Sequence, residues 1–179
     1  MDSGENLTIS STFSRYLVGR VKHQVAAINQ DKYETVAATE LDSHADSPVV
    51  GRYCTVLEDT GRKARVSGFT SELGKPLVVK VVNAAVIYDC EHTGESYVLV
   101  LCNALYFENM DVNLVPPFMM RLAGIEVDEC PKFLAKDPTD RNHSLFFPDA
   151  DVRIHLQLEG IVSYLPTRKP MKDELKKAE

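Results

Sequence analysis

Glu40-Leu41-Asp42-Ser43-His44-Ala45-Asp46-Ser47-Pro48-Val49-Val50-Gly51 is the stretch on which the fold turns. The chain approaches it from Tyr33 through Val, Ala and Thr, residues that favour a pleated, half-buried strand. It leaves through Val49-Val50 into another apolar segment. A strand that ends in an acid-rich turn and then returns to the core places Asp42 at the strand's end. Taken alone, an Asp-Ser pair is more often a turn acid or a helix cap than a catalytic group.

Downstream, Tyr53-Cys54-Thr55-Val56-Leu57 and Ala64-Arg65-Val66 flank Asp59-Thr60-Gly61 and read as a hairpin closed by turn residues. A glycine-containing stretch follows, with Ser67, Gly68, Phe69 and Gly74, before the β-branched run Leu77–Val82. Ala84–Tyr88 and Ser96–Leu101, separated by Glu91-His92-Thr93-Gly94-Glu95, predict a second hairpin. Pro116-Pro117 halts extension, and Phe118–Ala123 predicts a short helix that Gly124 ends. Cys130 to Asn142 reads as a polar loop, unusually long for a connection. Val152, Ile154, Leu156 and Leu158 alternate with polar residues in a half-buried strand, and Glu159-Gly160 turns it into Ile161–Leu165. Upstream, Leu17, Val18, Val21, Val25 and Ile28 suit one face of a helix, or a short strand followed by a helix. The ending from Pro170 reads as a solvated tail or helix.

Asp42-Ser43-x-Ala45, followed by Asp46 and Val49-Val50, resembles the active-site loop of retropepsin-like aspartic proteases. The variant with His at the third position looks like the protease segment of copia-type retrotransposon polyproteins. Leu105-Tyr106, the strand Asn113-Leu114-Val115, the short helix and Gly124-Ile125 resemble the second psi strand and C-terminal helix of that family. The likeness spans about 35 to 127, and extends more weakly to Gly160–Tyr164 and Pro166-Thr167-Arg168. Two departures stand out: His44 replaces the usual Gly, and Pro116-Pro117 replaces a Gly-Arg pair.

The resemblance implies a mainly β, retropepsin-like acid-protease barrel with one short C-terminal helix, an N-terminal helical extension and an added C-terminal β-hairpin. It divides the chain into an N-terminal extension (1–32), a core (33–130), a loop and hairpin (131–168) and a charged tail (169–179). It implies a homodimeric aspartic endopeptidase that processes a retroelement polyprotein. Each subunit would supply one Asp42, because two carboxylates must share a proton and the chain shows no second acid loop. Ser43, His44, Ala45 and Asp46 would support the loop, and Ser67, Gly68, Phe69 and Gly74 would belong to a flap over an extended peptide. Asp59-Thr60-Gly61 matches the literal motif better but is followed by Arg62-Lys63, which suits a turn; Asp2-Ser3-Gly4 has no strand before it.

Two other functions fit the same residues. A catalytically silent domain of this fold, with His44 filling the substrate path, would serve dimerisation or peptide binding. Alternation of Asp42, His44 and Asp46 would also allow a metal-dependent hydrolase, with these side chains on one face. A Ser43-His44-Asp46 triad fails because sequence neighbours cannot take up its geometry. His23, His143 and His155 read as surface or packing residues, and Cys90 with His92 as a turn beside a strand end.

Composition bounds these readings. The chain has 179 residues, 44% hydrophobic and 26% charged, with seven Tyr, seven Phe and no Trp. That is the balance of one globular domain with a real core. A net charge of −6 and a pI near 5.4 give no basic footprint for nucleic acid. Four scattered cysteines, Cys54, Cys90, Cys102 and Cys130, lack zinc-site spacing and read as reduced intracellular thiols. The sequence shows neither a membrane-length apolar run nor a signal-like start. The expectation is a chain without cofactor, nucleic-acid or membrane partner, located in the cytoplasm or a virus-like particle.

Overall fold

A computed structural model of the chain describes residues 18–21, 37–67 and 76–177. The N-terminal helix expected around Leu17, Val25 and Ile28, the approach at Tyr33, Asp2-Ser3-Gly4, His23 and the expected flap residues Gly68, Phe69 and Gly74 lie outside the described residues. Within them the fold is mainly β, with mixed sheets and two short helices. The strands are β1 (Val18–Val21), β2 (Ala37–Leu41), β3 (Val49–Val50), β4 (Thr55–Val66), β5 (Leu77–Cys90), β6 (Glu95–Tyr106), β7 (Asn113–Val115), β8 (Glu126–Asp128), β9 (Ser144–Phe147), β10 (Val152–His155), β11 (Gln157–Glu159) and β12 (Val162–Arg168). The helices are α1 (Pro117–Leu122) and α2 (Lys172–Lys177).

The main sheet runs β1-β6-β3-β7-β2-β12-β5-β4, with β5 also paired to β6 and β11 attached to β12. Only β2 with β7 and β3 with β6 are parallel. A second sheet, β10-β9-β8, is antiparallel. This overturns the expected closed acid-protease barrel and the resemblance built on it. Among the described residues the main sheet ends at β1 and at β4, carries β11 as a branch, and is joined by a separate three-stranded sheet. Nor is the last strand an addition, since β12 lies between β2 and β5.

The alternation of side chains along β5 divides the core in two. Val82, Ala84, Val86 and Tyr88 face the larger cluster, with Leu41, Val50, Leu99, Leu101, Val115, Met120 and Leu165. The second sheet docks on the same cluster through Leu145, Phe147 and Ile154. Ala85 and Ile87 point the other way, to Val98, with Val100 and Leu175 of α2 packed against them. Burial on both faces explains why this strand reads as a continuous apolar run instead of a strict alternation. α1 begins at Pro117, where the missing N–H costs the helix nothing, and Gly124 behind it takes φ +84°.

The tail is not simply solvated. Glu174 of α2 is buried and accepts hydrogen bonds from Arg168 Nη1 (2.9 Å) and Nη2 (2.7 Å) and from Met171 N (2.7 Å). The same guanidinium is held by Asp89 at 2.6 and 3.1 Å. Burial opposes its charge, but hydrogen bonds to Glu174 and Asp89 outweigh that and raise the Arg168 pKa. The pairing fixes α2 to β5 and β12.

Candidate functional site

The turn after β2 places Asp42 at a strand's end, as the sequence suggests, but its chemistry is that of a turn. Asp42 Oδ1 accepts the amide of His44 at 2.8 Å, and Ala45 N donates to the Asp42 carbonyl at 3.3 Å. The Asp42 amide is bound to Val115 O at 3.1 Å, tying the turn to β7. Ser43 Oγ lies 3.4 Å from His44 Nδ1, and the His44 side chain is 81% exposed. Ala45 and Asp46 complete the turn. With no catalytic dyad among the described residues and no barrel that would frame one, the aspartic-endopeptidase function is overturned, as is the silent version of the same fold. The metal-dependent alternative goes with it: among the described residues no group of three His, Cys, Asp or Glu side chains is placed to hold a metal ion. Asp59 is no better placed, because Lys80 Nζ (2.9 Å) and the Gly61 amide (3.0 Å) occupy its carboxylate.

Asn113, Leu114 and Val115 do form a strand, β7, paired in parallel with Thr39, Glu40 and Leu41. The role of Asn113 is structural. Its buried amide oxygen accepts Gly51 N at 2.9 Å, and its Nδ2 donates to Thr39 Oγ1 at 3.2 Å. Thr39 Oγ1 meets Thr167 Oγ1 at 2.8 Å, and that hydroxyl reaches Ala37 O at 3.2 Å. One polar ladder therefore crosses β7, β2 and β12 inside the core. Gly51 must be glycine because a Cβ there would collide with the backbone carbonyl of Met110.

Two surface features bring polar and apolar side chains together for which the fold has no use of its own. The first is the arm made by β4 and the first half of β5. β5 is buried from Val81 onward, but Leu77 and Val78 are 60% and 66% exposed. Among the described residues β4 pairs only with β5, so that its outer edge carries no other described strand. The expected turn at Asp59-Thr60-Gly61 is instead a bulge within one strand: Asp59 pairs with Val82 and Lys63 with Lys80, so residues 60–62 oppose Val81 alone. Gly61 takes φ +73° there, and Thr60 Oγ1 donates to Val81 O at 2.6 Å. Beyond the bulge, Ala64 lies opposite Val79 and Val66 opposite Leu77, which puts four apolar residues on one face. Lys63 opposite Lys80 and Arg65 opposite Val78 make the other face basic.

The second feature is an open cavity of about 580 Å³ between the β5–β6 turn, the segment from Pro131 to His143, and the β10–β11 junction. His92, Lys132, Phe133, Asp140, His143 and His155 line it. The rings of His92 and His155 meet edge to face with centroids 5.5 Å apart, and Lys132 Nζ lies 2.9 Å from Asp140 Oδ1. His143 is nearly enclosed and its Nε2 lies 2.9 Å from Ser163 Oγ. Burial lowers the pKa of His143; burial, then the charges of Lys132 and His92, lower that of His155. No motif draws these residues together, and the unusual length of the Cys130–Asn142 loop is the one signal in the sequence that points toward them.

These features belong to a mixed, mostly antiparallel β domain with two short helices. No family model matches the chain, no curated protein matches it, and no solved structure matches it. Among the described residues no helix is long and apolar enough to cross a membrane.

Proposed function

We propose that this domain is a polypeptide-binding module that takes an extended segment as an added strand along β4 from Lys63 to Val66. The observation that carries it is the arm: an open strand edge whose two faces differ, one apolar through Ala64, Val66, Leu77 and Val79, the other basic through Lys63, Arg65 and Lys80. A two-stranded ribbon of this kind is marginal alone, and a third strand is what would stabilise it. Backbone hydrogen bonds would supply affinity and the alternating faces selectivity. The segment that fits alternates apolar and acidic residues, so that its apolar set covers the Ala64–Val79 face while its carboxylates meet Lys63 and Arg65.

A second copy of this chain is the less suitable occupant. Antiparallel pairing of two β4 edges about Thr60-Gly61 would set Glu58 against Lys63 and Asp59 against Arg62, a complementary arrangement. The bulge at 60–62 takes the edge out of register at that point, and bulges are a means by which edge strands resist self-pairing.

Fluorescence anisotropy with a labelled peptide of alternating Val and Glu tests the proposal. Saturable binding is expected, weakened at least about tenfold by Lys63→Glu with Arg65→Glu and by N-methylation of alternate peptide amides. Both side chains are exposed, so the variant fold is not at risk. Binding that ignores both changes, or no binding, would refute strand addition; a concentration-dependent dimer in sedimentation would favour the second copy.

A further inference from the structure

We propose that the cavity bounded by His92, Lys132, Phe133 and His155 binds a small planar carboxylate, with its anion against the His92–His155 pair and Lys132 and its ring against Phe133. This site is separate from the β4 edge and does not depend on strand addition there.

The size is suitable: about 580 Å³ lies within the range of small-molecule sites. The lining combines polar groups with the apolar side chains of Phe133, Leu156 and Leu158, as such sites do. Phe133 is 75% exposed, an unusual position for a phenyl ring that borders a concavity. A flat ligand laid on it would remove that surface from water and add ring–ring contact.

The polar side favours an anion. His92, on the turn between β5 and β6, and His155, at the end of β10, bring two imidazoles together from distant parts of the chain. Lys132 adds an ammonium from the Lys132–Leu134 helical turn. The charges that bear on the site are those of His92, His143, His155, Lys132 and Asp140, with Arg153 on β10 and Asp128 on β8 further back. Asp140 is the acid that lines the cavity, and it is bound to Lys132. That ion pair is exposed, at 49% and 92% for the two side chains, so it holds Lys132 weakly and a ligand carboxylate can compete for the ammonium. Burial is the largest cause of the lowered His155 pKa, and the positive charges of Lys132 and His92 add to it; an incoming anion would offset that second part. His143 is different. It is turned to Ser163 and forms part of the floor.

A definite pH dependence follows. Near neutral pH Lys132 is opposed by Asp140 and His155, its pKa lowered, is largely uncharged, so the carboxylate is held mainly by hydrogen bonds and by stacking. On acidification His155 gains a proton, and a bound anion favours that protonation, so affinity must rise.

Benzoate is the probe, because it stays ionised through the range of interest; acetate tests the ring and benzamidine the sign of the charge. The readout is the imidazole resonances of His92 and His155 by NMR, at about pH 5.5 and about pH 7.5. Benzoate is expected to shift both resonances saturably, with a dissociation constant at least about tenfold lower at the acidic pH. Phe133→Ala should reduce benzoate to the affinity of acetate, and His155→Gln with Lys132→Met should weaken binding and flatten its pH dependence. Lys132 and Phe133 are exposed and His155 is half-buried, and unchanged amide resonances away from the cavity show that the variants keep the fold. The proposal is overturned by no saturable shift at either pH, by equal affinity at both, by unchanged binding in Phe133→Ala, or by benzamidine binding more tightly than benzoate.

Discussion

Replacing Asn113 by alanine tests how the core is held in register. The side chain is 1% exposed, and both ends of its amide are used, the oxygen by Gly51 N and the nitrogen toward Thr39 Oγ1. Alanine leaves the buried Gly51 amide without its acceptor, which costs about 1–3 kcal/mol. The space left by the amide adds roughly 1 kcal/mol if the walls do not collapse. Thr39 keeps Thr167 as a partner, so no second orphan arises. The expected loss is about 2–4 kcal/mol, a large share of a domain's margin. For a chain of this length it should lower Tm by about 5–15 °C. Thermal unfolding followed by circular dichroism, with urea titration at fixed temperature, measures both quantities. Leu122→Ala, on the exposed side of α1, serves as control and should fall within about 0.5 kcal/mol of the parent. If Asn113→Ala also falls there, the polar ladder is not what joins β7 to β2.

Glu174→Ala removes one of two acids from a buried guanidinium, and because Asp89 remains the expected destabilisation is about 2–3 kcal/mol; hydrogen exchange should show α2 opening first. Cys54 is buried, and burial pushes its thiol up to about 11, so at mildly alkaline pH exposed Cys130 should react with a thiol reagent well before Cys54; equal rates would contradict the packing. His143 and His155 both have lowered folded-state pKa values, so the unfolded chain binds more protons in the window between folded and unfolded values. Their contribution is therefore complete above about pH 7 and is lost as pH falls through the folded values. The urea midpoint should drop between about pH 7 and about pH 5, and less so in His143→Asn, a residue that tolerates the positive φ at that position.

Local pattern sufficed where the element was long and its neighbours adjacent in sequence. Ala84–Tyr88 and Ser96–Leu101 lie in the paired strands β5 and β6, and the Glu91–Glu95 turn joins them. The Pro117 helix and the Val152–Arg168 strands were also legible, although Leu156 interrupts what reads as one strand and its two parts join different sheets. Asp59-Thr60-Gly61 misled because turn residues also make bulges. The deciding factor was the length of β5 available to pair on both sides of the triplet.

The acid loop misled more seriously. Asp42-Ser43-His44-Ala45 specifies a tight turn at the end of a strand, which the structure has, but a four-residue motif does not determine how distant strands close around it. Asn113 reads from the sequence only as part of a strand, whereas its role depends on Gly51 and Thr39, both far away in sequence. Glu174 sits in a run of charges that looks solvated, and only its contact with Arg168 shows otherwise. The cavity was the least legible feature, since His92, Lys132 and His155 meet only after three separate segments fold together.

The most direct test of strand addition is amide hydrogen exchange across the chain with and without a saturating acidic–apolar peptide. The account predicts new protection confined to Lys63–Val66 of β4, with the slow core of β5 and β6 unchanged. Protection appearing around Asp42 or at the cavity, with β4 unaffected, would contradict it.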